Sequence, residues 1–284
     1  RFADGGMPAR INYGTFMQAM ADTFRDVPVG AYARQWLADV DPVIAPHVEA
    51  VDRGGSSAPY SSLPLDYFAP GPRFLYARNA WGPQATVLAL QLGVTDDEGH
   101  QHNDVGTWQM WRGGRWASRE TTGYSQDIIG VGGATVDVGT ASGHNSLFVN
   151  GKGPAAGYRV GQTAMRRLES RAGYAYAAVD LTPVYRATHP VLDNPAVVHV
   201  EREYLFVRSL ETLLVFDRIE SASALHSKLF LAHFEPPPVV DAVARTVTAV
   251  NGPQALRMTT LAPAAPTYRP VVNEGGPVGQ FRIE

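Results

Sequence analysis

The spacing of apolar positions changes character along this chain. From Ile11 to Phe24, Phe16, Met20 and Phe24 recur every fourth residue with Tyr13 and Met17 beside them, the stripe of an amphipathic helix. Val29, Tyr32, Trp36, Leu37 and Val40 set a second helix after Pro28, and Asp41-Pro42 ends it. No helical pattern follows, so the pair reads as the tail of an all-α region whose apolar faces need partners elsewhere. Between Ala45 and Pro72 no period is sustained, and Gly54-Gly55-Ser56-Ser57 and Pro70-Gly71-Pro72 mark a linker or a long ordered loop.

From Arg73 onward the pattern becomes short β-rich runs, at 74–81, 85–92, 105–111, 134–138, 146–150, 174–181, 196–208, 213–219, 228–234, 246–250 and 255–261. Turn signals such as Arg112-Gly113-Gly114 and Asn251-Gly252-Pro253 separate them. With no helical period between the runs, the pattern predicts a mainly β protein, a large antiparallel β-sandwich. The expected organisation is a helical end over residues 1–44, a linker over 45–72 and the sandwich over 73–284. No internal repeat points to a propeller or solenoid.

Composition agrees with this and excludes several function classes. A 284-residue chain that is 45% hydrophobic and 18% charged can bury a large core. A net charge of -3 and a pI near 6.3 leave no basic footprint for nucleic acid. Without cysteine there are no disulfides, no thiolate metal sites and no Cys nucleophile. No apolar run is long enough to span a bilayer, so no membrane partner is expected. The chain opens at Arg1 and stops within Phe281-Arg282-Ile283-Glu284, which reads as a strand; both ends are expected to be internal to a longer protein.

Candidate chemistry concentrates in Gly99-His100-Gln101-His102-Asn103-Asp104, followed by Glu120 and by Gly143-His144-Asn145-Ser146. If the first window is extended, His100, His102 and Asp104 share one face. Two histidines at i, i+2 are more often ordinary hydrogen-bonded residues than ligands. A third histidine and a carboxylate alter the balance: His102, Glu120 and His144 are the donor types of a zinc site built from two histidines and one carboxylate, provided the strands carrying them are neighbours.

The series His100-Gln101-His102-Asn103-Asp104-Val105-Gly106, Trp111-Arg112-Gly113-Gly114-Arg115-Trp116, Glu120 with Gly123-Tyr124, and His144-Asn145-Ser146-Leu147-Phe148-Val149-Asn150-Gly151 resembles the heparinase II/III-like polysaccharide lyases. The resemblance runs over roughly residues 70–235 and includes Val215-Phe216-Asp217-Arg218. It implies a β-sandwich preceded by the last helices of an α/α toroid, and β-elimination on a uronic-acid-containing polysaccharide in the periplasm or outside the cell. It also implies that His100 is the sandwich-borne catalytic histidine and that His102 and His144 ligate zinc. Glu120 stands where the family usually has an aspartate; its extra methylene displaces the carboxylate. Tyr124 falls near a sugar-contacting position, and Asp104 would orient a ligand. The catalytic base would belong to the toroid preceding this segment.

Arg112, Arg115 and Arg119 carry the donors that grip carboxylates, with Arg119 the candidate for substrate contact, although each is as readily an ordinary sheet-face residue. Trp108, Trp111 and Trp116 are sugar-stacking or core residues. His47, His189, His199, His226 and His233 read as structural. Two rival functions stay open at this stage: a carbohydrate-binding or structural sandwich with a stabilising zinc, and a zinc hydrolase using metal-bound water. Self-association is left open.

Overall fold

The computed structural model describes residues 13–40, 55–94, 101–121, 123, 126–157, 160–187, 190–273 and 281–284. Contacts divide them into a helical unit ending at Pro64 and a β-rich unit beginning at Leu65. The helical unit contains α1 (Gly14–Thr23) and α2 (Pro28–Val40), packed through Ala21, Ala33 and Leu37 with Met17, Met20 and Trp36 against them. Arg34 fastens the hairpin, donating to the carbonyls of Ala21, Arg25 and Ser56. The apolar stripe of α1 is only half used: Met17 and Met20 pack inward, whereas Phe16 is 58% exposed.

In the β-rich unit every observed pairing is antiparallel. One sheet runs in chain order through β1 (Asp66–Ala69), β2 (Phe74–Arg78), β3 (Thr86–Gln91), β4 (Trp108–Arg112) and β5 (Arg115–Ser118). A second has the order β12 (Thr212–Ser221), β11 (Val197–Val207), β10 (Tyr174–Asp180), β9 (Ala164–Ser170). Their inner faces share one core: Leu75, Leu88, Leu90 and Trp108 from the first meet Ala177, Val200, Tyr204 and Phe206 from the second. Two sheets burying one face each in a common apolar layer make the expected sandwich.

Smaller pairs complete the unit. β6 (Asp127–Ile129) pairs with β7 (Thr135–Asp137), and β8 (Leu147–Val149) with β13 (Lys228–Phe230). β14 (Ala232–Phe234), β18 (Pro270–Val272) and β19 (Phe281–Ile283) form a three-stranded sheet, as do β15 (Val239–Asp241), β16 (Thr246–Asn251) and β17 (Gln254–Thr259). These two sheets enclose a second core of Ala232, Phe234, Val247, Ala249 and Ile283. A short helix, α3 (Thr182–Tyr185), caps β10.

Two expectations change. Strand β1 lies inside the stretch read as linker; four residues with no apolar alternation become a strand because β2 supplies the pairing. The chain turns between Asp104 and β4: Thr107 N–H bonds back to Asp104 O, and Gly106 takes φ +85 where a Cβ would meet Leu181 Cδ1 at 2.6 Å. That turn delays the strand to Trp108, so His102 and Asp104 reach the site from a loop.

Candidate functional site

The site is assembled at the end of β4, from three loops. His102 and Asp104 precede that strand, Glu120 follows β5, and His144 lies in the turn between β7 and β8. None sits on a strand, so they are brought together by how the loops close and not as strand neighbours. All four are buried. His100 and Tyr124 lie outside the described residues.

Alternation along β4 explains the environment of Glu120. Trp108 and Met110 enter the apolar core, so Thr107 and Gln109 face the other way and meet the carboxylate. Thr107 Oγ1 donates to Glu120 Oε1, Gln109 Nε2 donates to Oε2 at 3.1 Å, and the Asn145 N–H donates to Oε1 at 2.9 Å. Asn145 is a hub: its Nδ2 donates to Trp108 O at 2.6 Å and Ser118 Oγ at 3.0 Å, and its Oδ1 accepts the His233 N–H at 2.7 Å. His233 holds the turn from the far side, with Nε2 at 3.0 Å from Ser142 O. At Gly143 a Cβ would stand 2.4 Å from Val138 O, so the turn requires glycine.

His144 stands apart from the hydrogen bonds that surround Glu120. Its Nδ1 lies 3.5 Å from Glu120 Oε2, and neither ring nitrogen has a hydrogen-bond partner although the side chain is 1% exposed. Its ring centroid is 5.1 Å from that of His102, at 56°. Burial governs the charges. It pushes Glu120 up to about 8, against the pull of the Asn145 N–H and Gln109. Burial also pushes Asp104 up to about 7, with Glu120 raising it further and His144 and Gln91 opposing. Burial lowers His144, partly offset by Asp104, and lowers His233 well below the usual imidazole range, with Arg282 and His144 adding to the effect. The 3.5 Å contact therefore joins a carboxyl and an imidazole that burial holds neutral, and is not an ion pair.

The donor types at this site fit zinc, and the geometry fits it only at the His144–Glu120 pair. Two imidazoles and a carboxylate are donor types that zinc takes, and both ring nitrogens of the buried His144 are without a hydrogen-bond partner. The 3.5 Å gap from His144 to Glu120 is too long for a hydrogen bond but matches the edge, about 3.3–3.5 Å, of a tetrahedron with ordinary zinc bonds. His102 lies beside His144, but among the described residues no three His, Cys, Asp or Glu side chains come together closely enough to hold a metal ion. A divalent cation would also offset two carboxyls that cannot both ionise in a buried site.

The other candidates are placed differently. Arg119 is half-buried, its Nη1 2.6 Å from Glu235 Oε1 and its guanidinium 5.4 Å from the Trp116 ring. Arg112 pairs with Glu211 and donates to Gln254 Oε1 at 2.5 Å, at the opposite end of β4 from the site. Trp108 is core, whereas Trp111 and Trp116 pack edge to face at 5.1 Å. Thr107, Gln109 and Asn145 escaped the sequence reading; the signal was there in the buried-polar phase of Thr107-Trp108-Gln109-Met110, which puts two polar side chains on one strand face.

No protein-family model matches the sequence, and no curated protein matches it. Solved structures do. A heparinase III gene product with methylated lysines superposes with a TM-score of 0.71 over 99% of this chain and 39% of its own, at 13% identity. The heparan sulfate lyase HepC of Pedobacter heparinus gives 0.63 over 99% of this chain and 40% of its own, at 15% identity. The fold is that of the heparinase III structures. A further heparinase III structure matches at 0.63 over 96% of this chain, at 13% identity. The match is to the C-terminal β-sandwich part of these polysaccharide lyases, and the chain spans about 40% of their length.

Proposed function

We propose that this chain is the sandwich part of an exported polysaccharide lyase, periplasmic or secreted, that cleaves a uronate-containing chain by β-elimination and holds zinc on His102, Glu120 and His144. The observation that carries the reading is the match of nearly the whole chain to heparinase III and heparan sulfate lyase structures. The burial of His102, Glu120 and His144, with His144 Nδ1 3.5 Å from Glu120 Oε2, supports the ligand assignment. The helices α1 and α2, with Phe16 left exposed, are in this reading the last helices of a toroid that supplies the catalytic base.

The reaction sets the demands. The proton beside a uronate carboxylate is weakly acidic, so the carboxylate must be neutralised, the proton removed and the departing glycosidic oxygen protonated. His100 is assigned to carboxylate neutralisation or to stabilising the enolate-like intermediate, and Tyr124 and Arg119 to sugar contact. Zinc, when bound, supplies positive charge to the two buried carboxyls and ties the three loops together. Burial of Glu120 and His144 favours this structural role over a hydrolytic one, which needs an open coordination position.

The test is incubation of the full-length protein with a panel of uronate polysaccharides. The expected result is an ultraviolet-absorbing unsaturated sugar, lost in His100→Ala with zinc content unchanged. Saturated products and loss of activity with chelator would replace the reading by a hydrolase. Binding without any product would replace it by a carbohydrate-binding sandwich.

A further inference from the structure

Two arginines on β11 and its end are buried against aspartates, and they hold different parts of the molecule. Arg202 is completely buried and bonds Asp217 across the β11–β12 register through Nε at 2.6 Å and Nη2 at 2.9 Å. That grip leaves Nη1 facing away from the hairpin, where it donates to Gly106 O at 2.8 Å and Asn145 O at 3.1 Å. Gly106 closes the loop that carries His102 and Asp104; Asn145 adjoins His144. One nitrogen therefore spans both loops of the candidate site. Arg208 is the counterpart: it bonds Asp66 at 2.6 Å and the carbonyls of Arg171, Arg78 and Tyr174, none of which belongs to the site.

We propose that Arg202, locked by Asp217, is the positioning residue that sets the separation of the loop carrying His102 from the loop carrying His144, and with it the site's affinity for zinc. The chemistry requires arginine. A planar guanidinium presents one edge to the carboxylate and a separate nitrogen to the two carbonyls, whereas an ammonium is a single point donor that cannot hold both sets. Any buried guanidinium must place its spare N–H donors on carbonyls, as Arg208 and Arg282 also do; Arg202 differs in that its two acceptors belong to the two loops of the candidate site. The zinc half of the proposal rests on the function proposed above, while the loop-spacing half does not.

The experiment compares Arg202→Lys with Arg208→Lys in the full-length protein, with Asp217→Asn as a milder loosening of the same lock. Three quantities are measured: melting temperature, zinc dissociation constant by competition with a chromophoric chelator, and amide hydrogen exchange resolved to residues 104–107 and 143–147. Both lysine variants lower the melting temperature. R202K weakens zinc about tenfold or more, as loss of a ligand-supporting contact does, and speeds exchange in both loops; R208K changes neither by more than about twofold. D217N moves zinc affinity and loop exchange in the same direction as R202K by a smaller factor, and decides the matter if R202K does not fold. Equal changes in R202K and R208K, or none in either loop, overturn the proposal. A wild type that takes up no zinc removes the metal reading alone, and the exchange comparison then judges the clamp by itself.

Discussion

Two buried charged clusters meet at the Ser142 turn, and they are finished to different degrees. In one, Arg282 donates through Nε and Nη2 to Glu284 Oε1, at 3.1 and 2.5 Å, and through Nη1 to Ile129 O and Ser142 O, at 2.8 and 3.0 Å. Arg269 closes the other carboxylate oxygen. Glu284 there is held between two guanidiniums, and each nitrogen of the buried Arg282 has an acceptor. In the other cluster Glu120 is surrounded by neutral donors, Asp104 lies nearby, and His144 has two unsatisfied nitrogens. A buried carboxylate met by cations is a brace, whereas a buried carboxyl met by neutral donors beside an imidazole with open nitrogens is the environment into which the proposed zinc would fit. This contrast separates the candidate site from the rest of the polar interior better than the presence of histidine does.

The largest effect that would break the contrast is on metal content. His144→Ala is expected to take bound zinc from about one equivalent to near none, measured by elemental analysis of the purified protein. Unchanged content would mean that the open nitrogens are not metal donors. Arg282→Met should leave zinc in place and lower stability by about 1–3 kcal/mol in denaturant unfolding, because Glu284 keeps Arg269 but its Oε1 and the carbonyls of Ile129 and Ser142 lose their donor. Zinc loss in Arg282→Met with little unfolding would make the brace part of the metal site.

A smaller effect is expected with pH in chelator-treated protein. Folding raises Glu120 to about 8 and Asp104 to about 7, so between the ordinary carboxyl range and those values the folded state holds protons that the unfolded chain has released. Their contribution to stability is complete only below the ordinary carboxyl range, about pH 4, and is lost progressively from there until pH has passed 7 and 8. The melting temperature of the zinc-free protein should therefore fall from about pH 5 to about pH 8, and Glu120→Gln should flatten the profile. A rise over the same window would show that the carboxyls ionise in the fold. The smallest change expected is at the solvent edge of the brace: Arg269→Ala, whose side chain is 53% exposed, should cost at most about 1 kcal/mol, since Arg282 already compensates Glu284. A larger loss would mean that two cations are needed to keep Glu284 in place.

Much of this was visible in the chain itself. The helical stripes gave α1 and α2, and each β-rich run named from the sequence overlaps at least one observed strand. The strands that escaped were β1, β5, β6, β9, β15 and β18, and all of them lie at the edge of a sheet or in a two-stranded pair. An edge strand is held from one side and need not bury a full alternating face, so its periodicity is faint. In β9, Ala164–Ser170, both arginines and the glutamate face water or one another. At the site, the donor types and their three loci were legible. The neutral donors on Glu120 were not, because Thr107 and Gln109 acquire meaning only when the turn at Gly106 ends and β4 begins.

Arg202 and Asp217 show where local information stops. Each occupies an inward phase of its strand, Arg202 between Val200 and Tyr204, Asp217 between Val215 and Ile219, so the sequence by itself fixes two opposite charges on the inner face of one hairpin. It also fixes the period of the helices and of most inner strands, since these follow from side-chain chemistry over a few residues. What only the tertiary structure decided is the use made of that pair. Arg202 reaches Gly106 across 96 positions and Asn145 across 57, distances over which chain proximity is set by how two sheets bury a shared apolar layer. The site is the by-product of that packing: loops with the right donors become a constellation because the sandwich closes beneath them.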